Sequence, residues 1–165
     1  MADLVHVKGL DALQKLLDTL APKVEANIMR GALRAGMSVV KPLAQHNIHS
    51  VSGLLAAGLK IGTRRRAGVV TSTLRATGPH AHVAHLVEFG TRPHNISAKF
   101  NGWLSFANIF AKVVAHPGAK PKAFMRPALD SSASAAVVAV GEYVKRRLAT
   151  KEGLDTSDIL IEGDT

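Results

Sequence analysis

Histidine and arginine are the only side chains whose types and spacing in this sequence suggest a chemical site. His80, His82 and His85 lie close together, and Glu88 follows His85 at a separation that a helix brings to one face. Imidazole and carboxylate are good zinc ligands, so the set has the makings of a metal cluster. Its order is not the His-Glu-x-x-His arrangement in which a glutamate base sits between paired ligands, and surface or structural histidines are the favoured reading. Arg64, Arg65 and Arg66 form the second candidate. Guanidinium forks match phosphate oxygens, and three in succession would give a salt-dependent, sequence-blind grip on nucleic acid. The plainer alternatives are a solvated tip or a contact with an acidic partner. No helix-turn-helix, zinc finger or aromatic RNA-binding box accompanies the arginines, so these alternatives are preferred.

Other enzymatic templates are missing from the sequence. Gly58 and Gly62 are isolated, with no Gly-Lys-Ser/Thr to complete a phosphate loop. There is no Gly-x-Ser-x-Gly elbow, and without cysteine there is no thiol nucleophile, disulfide or thiolate metal site. Carboxylates are scarce where acid–base pairs would be needed. The chain is therefore expected not to be an enzyme, and to use no cofactor and no metal.

The charge is unevenly distributed. Residues 1 to 151 hold all 21 Lys and Arg against seven acids, a balance of +14, while residues 152 to 165 hold the other five of the 12 acids, and the whole chain is +9. A basic body with an acidic tail suits either nucleic acid or an electrostatically steered protein partner. At 165 residues, 47% of them hydrophobic but only 4% aromatic, one domain with a core of Ala, Val, Leu and Ile is expected over residues 1 to 150. Residues 151 to 165 read as a mobile acidic tail, or as a strand, around Ile159-Leu160-Ile161, that orders only against a neighbour. No signal-like N-terminus or run of about 18 apolar residues is present, which places synthesis in the cytosol and predicts no membrane span.

Several elements must position these groups. Leu4 to Val7 reads as an edge strand, and Leu10, Leu13, Leu16, Leu17 and Leu20 as one face of a helix over residues 10 to 20. A longer helix is expected from Pro22 to His46, its apolar side formed by Val24, Ile28, Ala32, Ala35, Val39 and Leu43, with a kink or break at Pro42. After a turn over residues 49 to 55, strands are expected at 59 to 63 and 69 to 77, joined by an arginine-bearing loop over residues 64 to 68. Residues 79 to 89 read as a short helix stopped by Gly90. Residues 91 to 102, with Arg92, His94 and Lys99, read as a contact loop, and residues 103 to 114 as a hairpin turning at Ala107-Asn108. The last helix opens at Arg126-Pro127 with a stripe of Leu129, Ala133, Ala136, Val137, Val140, Val144 and Leu148. Lys145, Arg146 and Arg147 suit the negative end of its dipole. The class is α+β: an antiparallel sheet of about four strands packed by a long N-terminal helix and a C-terminal helix.

Two stretches bracket the least helical part of the chain: Val87-Glu88-Phe89-Gly90-Thr91-Arg92-Pro93-His94 and His116-Pro117-Gly118-Ala119-Lys120-Pro121-Lys122-Ala123-Phe124-Met125-Arg126-Pro127-Ala128-Leu129. Their glycines permit unusual backbone angles and their prolines fix φ. Together they resemble the tail-completion or head-tail joining (neck) proteins of long-tailed bacteriophages, which carry a Glu-Phe-Gly-Thr box and a Pro-Phe-Met-Arg-Pro-Ala-like box. The resemblance covers residues 52 to 148; Ala123 departs from it, standing where that family often has a second proline. It implies a structural virion protein in a ring, commonly of six subunits, assembled in the host cytoplasm between head connector and tail tube, with phage DNA passing through. Subunit or neighbouring-ring contacts are then expected at Arg64, Arg65, Arg66, Glu88, Arg92, His94, Lys99 and Arg126, with the acidic tail as a further contact surface.

Overall fold

A computed structural model describes residues 7–48, 53–99, 102–106, 109–157 and 159–163. In chain order the elements are β1 (Val7–Lys8), α1 (Leu10–Asp18), α2 (Pro22–His46), α3 (Leu54–Ala57), β2 (Leu59–Arg66) and β3 (Val69–Ala76). A 3-10 turn (Ala81–Val83) leads into α4 (Ala84–Phe89), followed by β4 (His94–Ser97), β5 (Leu104–Phe106), β6 (Ile109–Ala111) and β7 (Val113–His116). Then come α5 (Met125–Arg147), a π-helical turn (Leu148–Glu152) and β8 (Glu162–Gly163). This is an α+β chain with long helices near each end and antiparallel strands. The strands pair two by two, β1 with β8, β2 with β3, β4 with β7 and β5 with β6, in four ribbons. The expected strand face at Val5 and the turns at residues 49–52 and 107–108 lie outside the described residues. Among the described residues no helix is long and apolar enough to cross a membrane.

The chain divides into two compact units: Met1–Ala81 with Phe124–Thr165, and His82–Ala123. In the first, α2 packs along α5 and carries the β2–β3 ribbon on another side. Pro22 opens α2, where its missing donor costs nothing, and the helix runs unbroken through Pro42 to His46. Pro42 lies one turn from the end and is exposed, so water can reach the carbonyl its ring leaves unbonded. Ala26 is buried in α2, and from Ile28 on the buried residues fall every fourth position, Ile28, Ala32, Gly36, Val40 and Ala44, while Leu43 of the expected stripe is 38% exposed. Such an i±4 ridge of small residues lets helices approach closely. A Cβ on Gly36 would lie 2.8 Å from Val140 Cγ2 and 2.9 Å from the Ala136 carbonyl, and the place of a Gly31 Cβ is taken by the Tyr143 ring.

On α5 the buried residues are Ala128, Ser132, Gly141 and Val144, followed by Leu148 at the start of the π-helical turn. The expected stripe thus holds at its C-terminal end but not at its start, where Leu129 is 50% exposed and Ala128 is inside. Pro127 fixes the first turn and Phe124, wholly buried, anchors the approach to it; the side-chain amide of Asn47 donates to the Phe124 carbonyl.

Leu13 and Leu17 of α1 join Ile28, Ala32, Val144 and Leu148 in the core, and Leu154, Ile159 and Ile161 pack against it from the acidic C-terminal segment. That segment orders against its own chain. β8 pairs with β1, Lys145 Nζ donates to the Ile159 carbonyl at 2.6 Å, and Asp155 accepts bonds from the hydroxyl and amide of Ser157, which hold its pKa below the usual carboxylate value. Gly141 makes room for it: a Cβ there would stand 2.9 Å from Ile161 Cγ2 and 3.3 Å from Leu10 Cδ2. Gly141→Val is therefore expected to release residues 159–163, with overpacking costing about 1–3 kcal/mol. Limited proteolysis should then cut after Lys151 at least tenfold faster than in the wild type; an unchanged rate would contradict this packing.

Candidate interaction surfaces

The second unit brings together the two stretches that the sequence singles out. Thr91 and Ala119 form an antiparallel bridge, with amide-to-carbonyl bonds of 2.9 and 3.1 Å, and the Ala119 amide also donates to Thr91 Oγ1 at 2.9 Å. The Lys122 amide closes onto the Val87 carbonyl at 2.8 Å. The two glycines make the bridge possible. A Cβ on Gly90 (φ 72°) would lie 2.4 Å from the Ala119 carbonyl, and one on Gly118 (φ 87°) 2.3 Å from the Thr91 carbonyl. Each glycine lets its own stretch accept the other's backbone at a distance no side chain tolerates.

The bridge continues into a ribbon. β4 and β7 pair from His94↔His116 to Ser97↔Val113, so four residues of the expected contact loop are strand. All four side chains of β4 are exposed, as are Arg92 and Lys99. The His94 and His116 rings meet at 5.1 Å between centroids. His94 Nδ1 lies 2.9 Å from the Arg92 carbonyl, and His116 Nδ1 accepts the Gly118 amide at 3.0 Å, so both rings brace the turn prolines beside them. The helix expected over residues 79 to 89 begins only at Ala81, as the 3-10 turn and then α4, and stops at Gly90. His82 and His85 on it are exposed while Glu88 is 8% exposed and engaged within the chain, so its carboxylate is withdrawn from the surface. No group of three or more metal-binding side chains occurs among the described residues.

Apolar exposure marks this unit more than charge does. Ala84 and Glu88 are its only buried residues among those described, whereas Phe89 (66% exposed), Trp103, Ile109, Phe110 and Val113 are open to solvent. Lys112 lies over the Trp103 ring at 5.4 Å. Phe89 ends α4, Trp103 directly precedes β5, Ile109 and Phe110 lie on β6 and Val113 opens β7; among the described residues the β4–β7 and β5–β6 ribbons have two strands each. Sequence reading placed the hairpin but assigned these side chains no role; the signal was that five of the seven aromatics fall within residues 82 to 123.

In the first unit, Arg64, Arg65 and Arg66 are strand residues of β2, and the turn is only Ala67-Gly68, both at positive φ as a tight hairpin requires. Alternation splits the three. Leu59, Ile61, Thr63 and Arg65 pair with Ala76, Leu74, Ser72 and Val70 on the face toward α2, where Arg65 and Val70 line a shallow cleft with Glu25, Ala26 and Met29. Arg64 and Arg66 project from the other face, with Lys60 and Arg75 beside them. Arg126, exposed in the first turn of α5, is engaged within the chain.

Comparison with protein-family models, with curated proteins and with solved structures finds no match to this chain.

Proposed function

We propose that this chain is a structural subunit of a tailed-phage virion, closing into a ring at the neck that completes the tail or joins head to tail, with phage DNA passing through its centre. The observation that carries the proposal is the second unit, which joins the two resembling stretches into one locked turn and presents exposed apolar side chains. A 42-residue unit of paired ribbons, with two buried residues among those described, is too small to be stable on its own apolar burial. Neighbouring copies supply what it lacks: they cover Trp103, Phe110 and Val113 and extend the open strand edges. A surface on one copy meeting a different surface on the next is a heterologous contact, which closes into a ring. The remaining faces meet the head-connector and tail-tube proteins, and assembly takes place in the host cytoplasm before the virion is complete. On this reading the chain's work is positional rather than catalytic.

Electron microscopy of the purified protein tests this reading. Closed rings with an axial hole are expected, and uniform particles of single-chain size at high protein concentration would contradict it. The double substitution Ile109→Ser with Phe110→Ser removes two exposed anchors, each worth about 2 kcal/mol in a buried interface. It should abolish rings while leaving the helical circular dichroism of α2 and α5 unchanged. Rings that persist in this variant would show that the contact lies elsewhere.

A further inference from the structure

We infer that the outward face of the β2–β3 ribbon binds the phosphate backbone of duplex DNA without regard to sequence. Register assembles this face from residues distant in sequence. Lys60 sits opposite Arg75, then come Gly62 opposite Thr73, Arg64 opposite Thr71, and Arg66 opposite Val69. Lys60, Arg64, Arg66 and Arg75 are all exposed, and residues 59 to 76 contain no Asp or Glu. None of the four cations has a hydrogen-bond or ion-pair partner among the described residues. At about 3.3 Å per residue, Lys60 to Arg66 spans about 20 Å, so the charges form a line rather than a point.

A line of positive charge matches a partner whose negative charge also repeats along a line. Duplex DNA carries one charge per about 3.4 Å of axis on each strand. Guanidinium and ammonium groups take phosphate oxygens directly, and the hydroxyl of Thr71, set between the cations, is a common phosphate donor. Gly62 has no side chain of its own, and the Arg75 guanidinium lies over it, 3.7 Å from where a Cβ would be. That guanidinium is the group that meets an approaching phosphate there. A two-stranded ribbon is also an element that the major groove, about 12 Å wide, admits.

An acidic protein fits this face less well. Protein interfaces are anchored by buried aromatic and aliphatic groups, and the only apolar side chain on this face is Val69, at its tip. The second unit, by contrast, is rich in such anchors, so the two kinds of contact are assigned to separate surfaces. The inference does not depend on ring formation, because the face is complete within one chain.

The test is fluorescence anisotropy of a labelled, mixed-sequence DNA duplex titrated with the full chain across about 50 to 200 mM salt. Three forms are compared: wild type, Arg64→Thr with Arg66→Thr, and the charge-matched control Arg30→Gln with Arg34→Gln on the exposed side of α2. Threonine keeps the β-propensity of the strand, and circular dichroism confirms folding. Each phosphate contact contributes about 0.9 to the log–log salt slope. The ribbon variant should therefore lose about 1.8 from that slope and on the order of fiftyfold in affinity at 0.1 M salt, with the control close to wild type. Equal losses in both variants would reduce the binding to net charge and overturn the assignment, as would unchanged binding in the ribbon variant or no wild-type binding. Ribbon-dependent binding of poly-glutamate in place of the duplex would overturn it in favour of an acidic protein.

Discussion

Phe124→Ala is expected to lower the free energy of unfolding of the first unit by about 3–5 kcal/mol, the range for removing a buried phenylalanine ring and leaving its cavity. Phe124 is wholly buried, ahead of the first turn of α5, and its carbonyl is held by Asn47 at the end of α2. The ring thus fixes where α5 starts relative to α2, and with it the shift that brings Ala128 inside and leaves Leu129 outside. Leu129→Ala is the natural comparison: a half-exposed side chain outside any network should cost about 0.5 kcal/mol or less. Urea unfolding followed by circular dichroism measures both. A loss for Leu129→Ala as large as that for Phe124→Ala would restore the stripe expected from sequence and contradict the packing described.

Gly90→Ala should have the second largest effect, confined to the second unit. At φ 72° and ψ −174° the residue occupies a region open essentially only to glycine, at a cost for alanine of about 1–3 kcal/mol. The added Cβ would also meet the Ala119 carbonyl at 2.4 Å and the Pro121 nitrogen at 2.8 Å. The bridge between Thr91 and Ala119 must then open, and the β4–β7 ribbon loses its anchored end. Hydrogen exchange at the Thr91, Ala119 and Lys122 amides should accelerate on the order of a hundredfold, as about 3 kcal/mol implies. Amides in α2 and α5 should keep their wild-type protection. Retained protection at Ala119 would mean that this glycine is not what permits the bridge.

Long apolar periodicity made much of the fold legible. Pro22 and the spacing that follows it located α2 at both ends, and Gly90 marked the stop of α4. Helix faces were less legible, because alanine, glycine and valine recur all along α2 and α5 and their pattern fits several stripes. The choice of Ala32, Gly36, Val40 and Ala44 was made by the close approach of α5, a tertiary fact that no local window contains. The hairpin pairings β2–β3 and β5–β6 were legible, but the pairing of β4 with β7 was not, for a similar reason. Local pattern located β4 inside a polar stretch poorly, since all four of its side chains face outward and alternation has nothing to report.

The candidate surfaces were legible in part. The two glycine- and proline-rich stretches stood out, but their pairing did not, although a short signal was present: Gly90-Thr91-Arg92-Pro93 and Gly118-Ala119-Lys120-Pro121 share the pattern Gly-x-basic-Pro, and the bridge joins their second residues. The arginine triplet was conspicuous as a run, yet strand alternation splits it, turning Arg65 toward α2 and recruiting Lys60 and Arg75 instead. The C-terminal segment looked like a tail because it is acidic; three apolar side chains, Leu154, Ile159 and Ile161, bind it to the core of its own chain.

Assembly through the second unit is the central claim, and the mass of the purified protein in solution tests it most directly. Light scattering at low and high salt should give one discrete multimer, near six times the chain mass of 17.4 kDa, formed without DNA and unchanged by salt because the contact is apolar. A single-chain mass at every protein concentration, or a mass that rises only with DNA and falls back in salt, would contradict the ring.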